Sequence, residues 1–234
     1  MTSKRQKITH SSETQVFCLH LAFTVICMAV LLAPVPVAFG IRMLILVIVY
    51  NLMNPIWGAR RRDSGWVDIW RFALILSLFQ VFPDWFLSAE LNILVFPDDG
   101  AFKIGRVSGY MAGLWAIPVF LIVFIAERVR LRYSARAAYM AAGAVAFILF
   151  AGSEQGTAVL PMWHPINVTM IGQTAIYIVI PEIILGVSAF YAFQQVKFQS
   201  GWRKIIAAFL VMQLYLGSAA LFYFIIEKIV LISK

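Results

Sequence analysis

Seven long apolar stretches, separated by short polar segments, make up most of this 234-residue chain. A helix needs roughly 17–25 mostly apolar residues to cross the hydrocarbon core of a bilayer. None of the stretches alternates polar and apolar positions in the way that barrel strands do. The pattern predicts an all-α, seven-helix transmembrane bundle that forms one domain over residues 1–234. The predicted spans are 16–34, 38–57, 67–87, 105–126, 136–152, 168–193 and 205–226.

The composition agrees with a membrane protein. Hydrophobic residues make up 62% of the chain and charged residues 13%, whereas a soluble domain has about 25% charged residues. Lys4, Arg5 and Lys7 precede the first apolar run, but no small-residue cleavage site follows it, so we expect a retained first helix. We therefore expect a multi-pass integral protein of the plasma membrane, or of the inner membrane if the source is bacterial.

The positive charges are distributed unevenly between the two sides of the predicted bundle. Of the 19 Lys and Arg residues, 14 fall on the side that includes Arg60, Arg61 and Arg62, and five fall on the other, Lys234 among them. Positively charged loops stay in the cytoplasm, so the N-terminus is predicted to be cytoplasmic and the C-terminus to be outside. This asymmetry explains the net charge of +8. It indicates membrane lipids rather than nucleic acid as partners.

The segment after the third predicted span repeats one tetrapeptide, Val-Phe-Pro-Asp, at 81–84 and 95–98. A proline next to an acid is typical of a helix N-terminus. Asp84, Ser88 and Asn92 recur every four residues, which predicts a polar stripe on one helix face. Two interpretations follow. The segment is either a kinked or re-entrant element that lines a cavity, or a loop with solvated carboxylates.

Glu182 follows Pro181 near the middle of the predicted sixth span. A charged carboxylate at that depth costs about 2.5–3.5 kcal/mol, so it must be protonated, paired or in contact with water. Gln173, Thr174 and Tyr177 extend a polar track from Glu182 towards the outer face. A structural hydrogen bond to another helix is the alternative to a functional role.

We expect Asp84 and Glu182 to be catalytic groups that face one interior cavity. The substrate-binding candidates are Trp85, Asn92, Tyr110, Trp115, His164, Gln173, Tyr177 and Asn51. Two of these have structural alternatives. His164 lies between Trp163 and Pro165, as an interfacial anchor would, and Asn51 could act with Asn54 to hold helices together.

Small residues recur every four positions in two predicted spans, which is typical of close helix packing. They are Gly105, Gly109 and Gly113 in the fourth span and Ala138, Ala142 and Ala146 in the fifth.

Several kinds of chemistry lack their sequence signals. The chain has no phosphate-binding loop and no dinucleotide-binding turn, and no second histidine stands near His164. We therefore expect neither a cofactor nor a metal site.

The size, the helix count and the combination of buried acids with aromatic residues resemble the integral-membrane terpene and carotenoid cyclases. That resemblance implies a buried acid that protonates a polyprenyl chain and aromatic faces that stabilise the carbocation. The motifs of those families differ from this sequence, because Pro181-Glu182 is followed by Ile183 and the segment Asn54 to Trp57 by Gly58.

Two functions are therefore predicted. The first is a membrane enzyme that acts on a hydrophobic isoprenoid or lipid by acid-initiated cyclisation or isomerisation. Glu182 would be its acid, because Asp98 and Asp99 have Lys103 and Arg106 close by. The alternative is a non-catalytic membrane protein, either a small carrier or a subunit whose helices pack against a membrane partner.

Overall fold

The computed structural model describes residues 2–230, with side chains from Glu13 onward. The side chains of Lys4, Arg5 and Lys7, and the whole of Lys234, lie outside that part. Within it, seven helices are long and apolar enough to cross a membrane, as the sequence predicts. These seven spans are Glu13–Leu32, Phe39–Arg60, Ser64–Glu90, Met111–Arg132, Ala135–Gly156, Ile176–Val196 and Gly201–Val230.

Most of the helices follow one another with short connections, and two longer connections, 91–110 and 157–175, precede α4 and α7. They are α1 (Thr2–Leu32), α2 (Phe39–Arg60), α3 (Ser64–Trp85), α4 (Met111–Leu114), α5 (Ala116–Arg132), α6 (Ala135–Gly156), α7 (Val179–Val196) and α8 (Gly201–Tyr223). Wider π turns extend α3 by Phe86–Glu90 and α8 by Phe224–Val230, and a 3₁₀ turn, Ile176–Ile178, leads into α7. Side chains cap two helices. Asp63 accepts a hydrogen bond from the Trp66 N–H at the start of α3, and Ser134 accepts one from the Ala137 N–H at the start of α6.

Six two-residue strands, which the sequence does not predict, lie in the connections at one end of the bundle. They are β1 (Leu94–Val95), β2 (Lys103–Ile104), β3 (Val107–Ser108), β4 (His164–Pro165), β5 (Met170–Ile171) and β6 (Thr174–Ala175). They pair antiparallel as β1 with β4, β2 with β3 and β5 with β6. We call this end, formed by 33–38, 91–110 and 157–175, the hairpin end.

Two spans begin later than predicted because hairpins occupy their expected first turns. The fourth begins at Met111 rather than 105, and the sixth at Ile176 rather than 168. Gly105 and Gly172 have φ values of +62° and +63°, the left-handed region that tight turns use. An apolar hairpin has the same hydropathy as an apolar helix, so hydropathy alone does not separate them.

The predicted glycine motif of the fourth span is wrong for the same reason. Gly105 lies in the β2–β3 turn and Gly109 follows β3, so of the three glycines only Gly113 is helical. The alanine face of α6 does pack closely, as predicted. Its partner is Gly186 of α7, where an added Cβ would lie 2.4 Å from the Ala146 Cβ and 3.2 Å from the Ala142 carbonyl oxygen.

The Val-Phe-Pro-Asp repeats do not begin helices. Pro83 lies inside α3, whereas Pro97 and Asp98 lie in the connection between β1 and β2. The helix continues past Pro83 into the π turn Phe86–Glu90.

At the opposite end, which we call the basic end (59–68, 127–136 and 196–204), ion pairs join neighbouring helices. Lys204 pairs with Asp68 at 2.9 Å, Lys197 with Glu127 at 3.0 Å, and Arg128 with Asp63 at 3.5 Å. Arg132 also pairs with Glu13 of α1. The acidic residues of this end therefore have cationic partners.

Candidate functional site

A cavity of about 260 Å³ lies below the β1–β4 strand pair, between α3, α5, α6, α7 and α8. Pockets for small ligands begin at roughly 300 Å³, so this one is close to the lower limit. Its wall is mostly apolar and aromatic. Three acidic side chains also line it, one from each of α3, α6 and α7: Asp84, Glu154 and Glu182.

Asp84 lies in the last turn of α3 and is 2% exposed. The Trp115 indole N–H donates a hydrogen bond to its Oδ2 over 2.9 Å. The predicted polar stripe is present at Asp84 and Ser88, which are both buried, but it continues inward to Gln80 and not outward to Asn92. Asn92 lies beyond the helix with φ at +51° and is exposed.

Trp115 is positioned by a break between α4 and α5. Pro118 has no N–H to donate to the carbonyl of Leu114, which disfavours a continuous helix at this point. Two carbonyls just before Leu114 accept hydrogen bonds from side chains of other helices. The Ala112 oxygen accepts from Ser77 Oγ at 3.0 Å, and the Gly113 oxygen from Asn51 Nδ2 at 3.1 Å.

Glu154 is an acid of the cavity that the sequence analysis missed. The predicted fifth span ended at 152, which placed Glu154 in a loop, whereas α6 continues to Gly156 and buries it to 9% exposure. Its Oε1 accepts a hydrogen bond from the Trp163 indole N–H at 2.8 Å. One sequence pattern could have predicted this position: Ala146, Phe150 and Glu154 are spaced four residues apart, which continues the buried face of α6.

Glu182 lies in the first turn of α7 and is 4% exposed, so its predicted place in the middle of a span is wrong. The first turn of a helix needs no intrahelical partner for its N–H groups, so Pro181 fits there without breaking a hydrogen bond. Within the described part of the chain, no side chain or backbone N–H donates to the Glu182 carboxyl group. The cavity is thus what the carboxyl group faces.

The three acids have no cationic partner among the described residues, since every ion pair found there involves other acids. They also do not cluster as metal ligands. Among the side chains that are described, those of residues 13–230, no three from His, Cys, Asp or Glu lie close enough to hold a metal ion.

Aromatic rings form much of the remaining wall. Trp115 packs against Phe150 and Tyr215, with ring centroids 5.3 Å and 5.9 Å away. Tyr177 lines the cavity and packs edge-to-face on Tyr223 at 5.5 Å. Tyr215 of α8 is a wall residue that the sequence analysis did not single out, because an isolated tyrosine in an apolar span has no distinguishing neighbour.

The juxtaposition of Asp84 and Glu182 is therefore present, and Trp115 and Tyr177 lie on the same wall. The other six candidates do not line the cavity. Trp85 is 41% exposed and rests against Gly105. His164 is exposed on β4, and its strand neighbours Trp163 and Pro165 line the cavity instead.

The remaining candidates make structural contacts. The Tyr110 hydroxyl donates to the Met162 oxygen at 3.0 Å, and burial raises the pKa of this phenol, which keeps it a donor. Asn92 accepts from Arg106 at 3.4 Å. The main-chain N–H of Gln173, in the β5–β6 turn, donates to the side-chain oxygen of Gln155 in α6. Asn51 joins α2 to α4, as its structural alternative predicts.

A family model covers residues 81–226 of this chain. The chain belongs to the family described as a domain of unknown function, DUF6989. Every residue that lines the cavity, from Asp84 to Tyr215, lies inside the DUF6989 region, whereas α1 and α2 lie outside it. No curated protein and no solved structure matches the chain.

Proposed function

We propose that this protein is an integral membrane enzyme that converts a hydrophobic isoprenoid or lipid by acid-initiated cyclisation or isomerisation. One observation carries the proposal: three carboxyl groups without cations line one apolar, aromatic cavity. Ionisable groups at membrane depth are costly and are usually functional. A purely structural acid would be expected to have a partner, and Glu182 has none among the described residues.

Glu182 is the proton donor in this proposal. Burial away from water favours the neutral form of a carboxylic acid, which then has a proton to transfer. The proton adds to one carbon of an alkene, and the neighbouring carbon becomes cationic. The faces of Trp115, Tyr177 and Tyr215 stabilise that cation.

The reaction ends when a carbon next to the cation loses a proton to a carboxylate. Asp84 and Glu154 are fixed by the Trp115 and Trp163 indoles, which suits them to accept this proton or to orient the substrate. One proton is gained and one is lost, so the product has the same elemental formula as the substrate. The proton taken up by Asp84 or Glu154 then passes back to Glu182 across the shared cavity, which restores the enzyme for the next turnover. Neither a cofactor nor a metal is needed for this chemistry.

The test compares lipids that copurify with the wild-type protein and with Glu182→Gln. Both proteins are purified from the same host in the same detergent and extracted for untargeted mass spectrometry. The variant keeps a hydrogen-bonding group but has no transferable proton. We expect it to carry a compound with the same mass as one bound to the wild type but with a different retention time.

Ser188→Ala is the matched control, because Ser188 lies on the same helix and its hydroxyl donates to the Leu185 carbonyl, its one hydrogen bond among the described residues. It should carry the wild-type compound. Identical lipids on the wild type and on folded Glu182→Gln would contradict catalysis by Glu182, and would instead support a carrier. Loss of folding in Glu182→Gln would support a structural role.

The orientation that we propose has the basic end in the cytoplasm, as the charge distribution favours. A reporter inserted at Arg60–Ser64 should then behave as cytoplasmic, and one fused after Lys234 as extracytoplasmic. If both reporters give the same side, the number of spans or the direction of the chain is wrong.

A further inference from the structure

The wall of the cavity is closed on one side and partly open on the other. Lining residues from α3, α7 and α8, such as Leu87, Glu182 and Tyr215, are buried. In contrast, most lining residues from α4 to α6 are only half-buried: Leu114, Ile117, Pro118, Leu121, Leu149 and Ser153. The cavity is thus least enclosed between α5 and α6.

The hairpin end covers the cavity from above. Phe96, Met162 and Pro165 are buried lining residues on or beside the β1–β4 pair. This cover is held in place by main-chain pairing of Leu94 with Pro165 and by the Tyr110 hydroxyl, which donates to the Met162 oxygen. A water-filled route through this end would have to displace these residues.

The gap between α5 and α6 lies within two membrane spans, Met111–Arg132 and Ala135–Gly156. The half-buried lining residues of these two helices come from the first half of α5 and the last half of α6, so the open part of the wall lies towards their hairpin end. The rim is apolar except for Ser153, whose hydroxyl donates to the Phe150 carbonyl at 2.8 Å. The rim therefore offers little to a hydrated solute.

We infer that the ligand enters the cavity sideways from the bilayer, through the gap between α5 and α6, as a single hydrocarbon chain of a membrane lipid. This inference adopts the substrate class of the proposed function but does not depend on catalysis. Moving a chain from lipid into an equally apolar gap costs little, whereas a route through water would first expose the apolar surface of the chain to water, which is unfavourable.

The test uses thiol labelling in proteoliposomes. Cys18 and Cys27, the two cysteines of the chain, are first replaced by serine. Ala175→Cys then places a buried thiol inside the cavity, because Ala175 lines the cavity and is 2% exposed. Ser153→Cys at the rim is a second reporter if the first does not fold. An N-alkyl maleimide reports access from lipid, and a charged maleimide reports access from water.

We expect the N-alkyl reagent to label Ala175→Cys severalfold faster than the charged one. Adding Ile117→Trp at the rim should slow that labelling severalfold. Two controls are available: Leu78→Trp, on an exposed face of α3, should have no effect, and Ala144→Cys, on the outer face of α6, should react alike with or without Ile117→Trp.

Faster labelling by the charged reagent, no reaction with either reagent, or no effect of Ile117→Trp would overturn the lateral route. The reagents need no turnover. If the wild type and Glu182→Gln carry identical lipids, catalysis is contradicted but the labelling result still stands. If the labelling excludes the lateral route, the lipid comparison still tests the role of Glu182.

Discussion

The acidic residues at the two ends of the bundle have opposite surroundings. At the basic end, Asp68 pairs with Lys204 at 2.9 Å and Glu127 with Lys197 at 3.0 Å. In the cavity near the hairpin end, Asp84 and Glu154 have only indole N–H donors. A paired acid contributes to folding, and its loss leaves a buried charge behind. An unpaired acid contributes little to stability, so its presence agrees with the function that we propose for the cavity.

The largest loss of stability is expected at the basic end. Asp68→Ala leaves the Lys204 ammonium buried with only the Val196 and Gln199 carbonyls as acceptors. It also removes the acceptor of the Phe198 N–H. Breaking a buried pair in this way costs about 3–5 kcal/mol, which unfolding in mixed detergent–SDS micelles would measure.

Arg130→Ala is the matched control, since Arg130 pairs with Glu127 at 3.4 Å but is half-exposed. Removing an exposed partner should cost only about 0–1 kcal/mol. Equal losses in the two variants would mean that the burial of the Asp68–Lys204 pair has no special role.

A smaller loss of stability is expected at the close contact between α6 and α7. Gly186→Ala places a methyl group 2.4 Å from the Ala146 Cβ, so the helices must separate. Overpacking of this kind costs about 1–3 kcal/mol. The thermal midpoint in detergent should fall.

Gly217→Ala, with no atom within 4 Å of the added Cβ, serves as its control. It should keep or slightly raise the midpoint, because alanine favours helix. If both variants keep the wild-type midpoint, the close approach of α6 and α7 is not needed for stability.

A loss of about 1–2 kcal/mol is expected for Trp115→Phe, because it removes the donor to Asp84 while keeping a ring in place. Trp163→Phe should do the same for Glu154. Unfolding of each variant, followed by far-UV circular dichroism, checks the size of the loss. Trp202→Phe, which is 67% exposed, should have almost no effect. A full wild-type stability for both cavity variants would show that the indoles do not hold the acids.

The sequence was sufficient for the number of spans, because hydrophobic length is a strong local signal. It also singled out Asp84 and Glu182, which line one cavity in the structure, since acids in apolar stretches are rare. The ends of the spans were harder to predict. Gly105 and Gly172 form turns inside apolar runs, and Glu154 continues a helix that hydropathy had ended.

Six of the eight candidate binding residues do not line the cavity, and the reason is a different one. Polar residues near a predicted face were grouped together, yet strand alternation turns His164 away from the cavity while Trp163 lines it. Tertiary contacts decide such cases. Asn51 bonds the Gly113 carbonyl 62 residues away, a contact that no local pattern predicts.

The smallest effect, and the most direct test of the difference between the two ends, is the stability of Glu182→Gln. Its unfolding free energy is measured beside that of Asp68→Ala in the same micelles. Glu182 has no cation and no donor among the described residues, so we expect the variant to be within about 1 kcal/mol of the wild type, or more stable. A loss as large as that of Asp68→Ala would contradict the claim that the cavity acids serve function rather than folding.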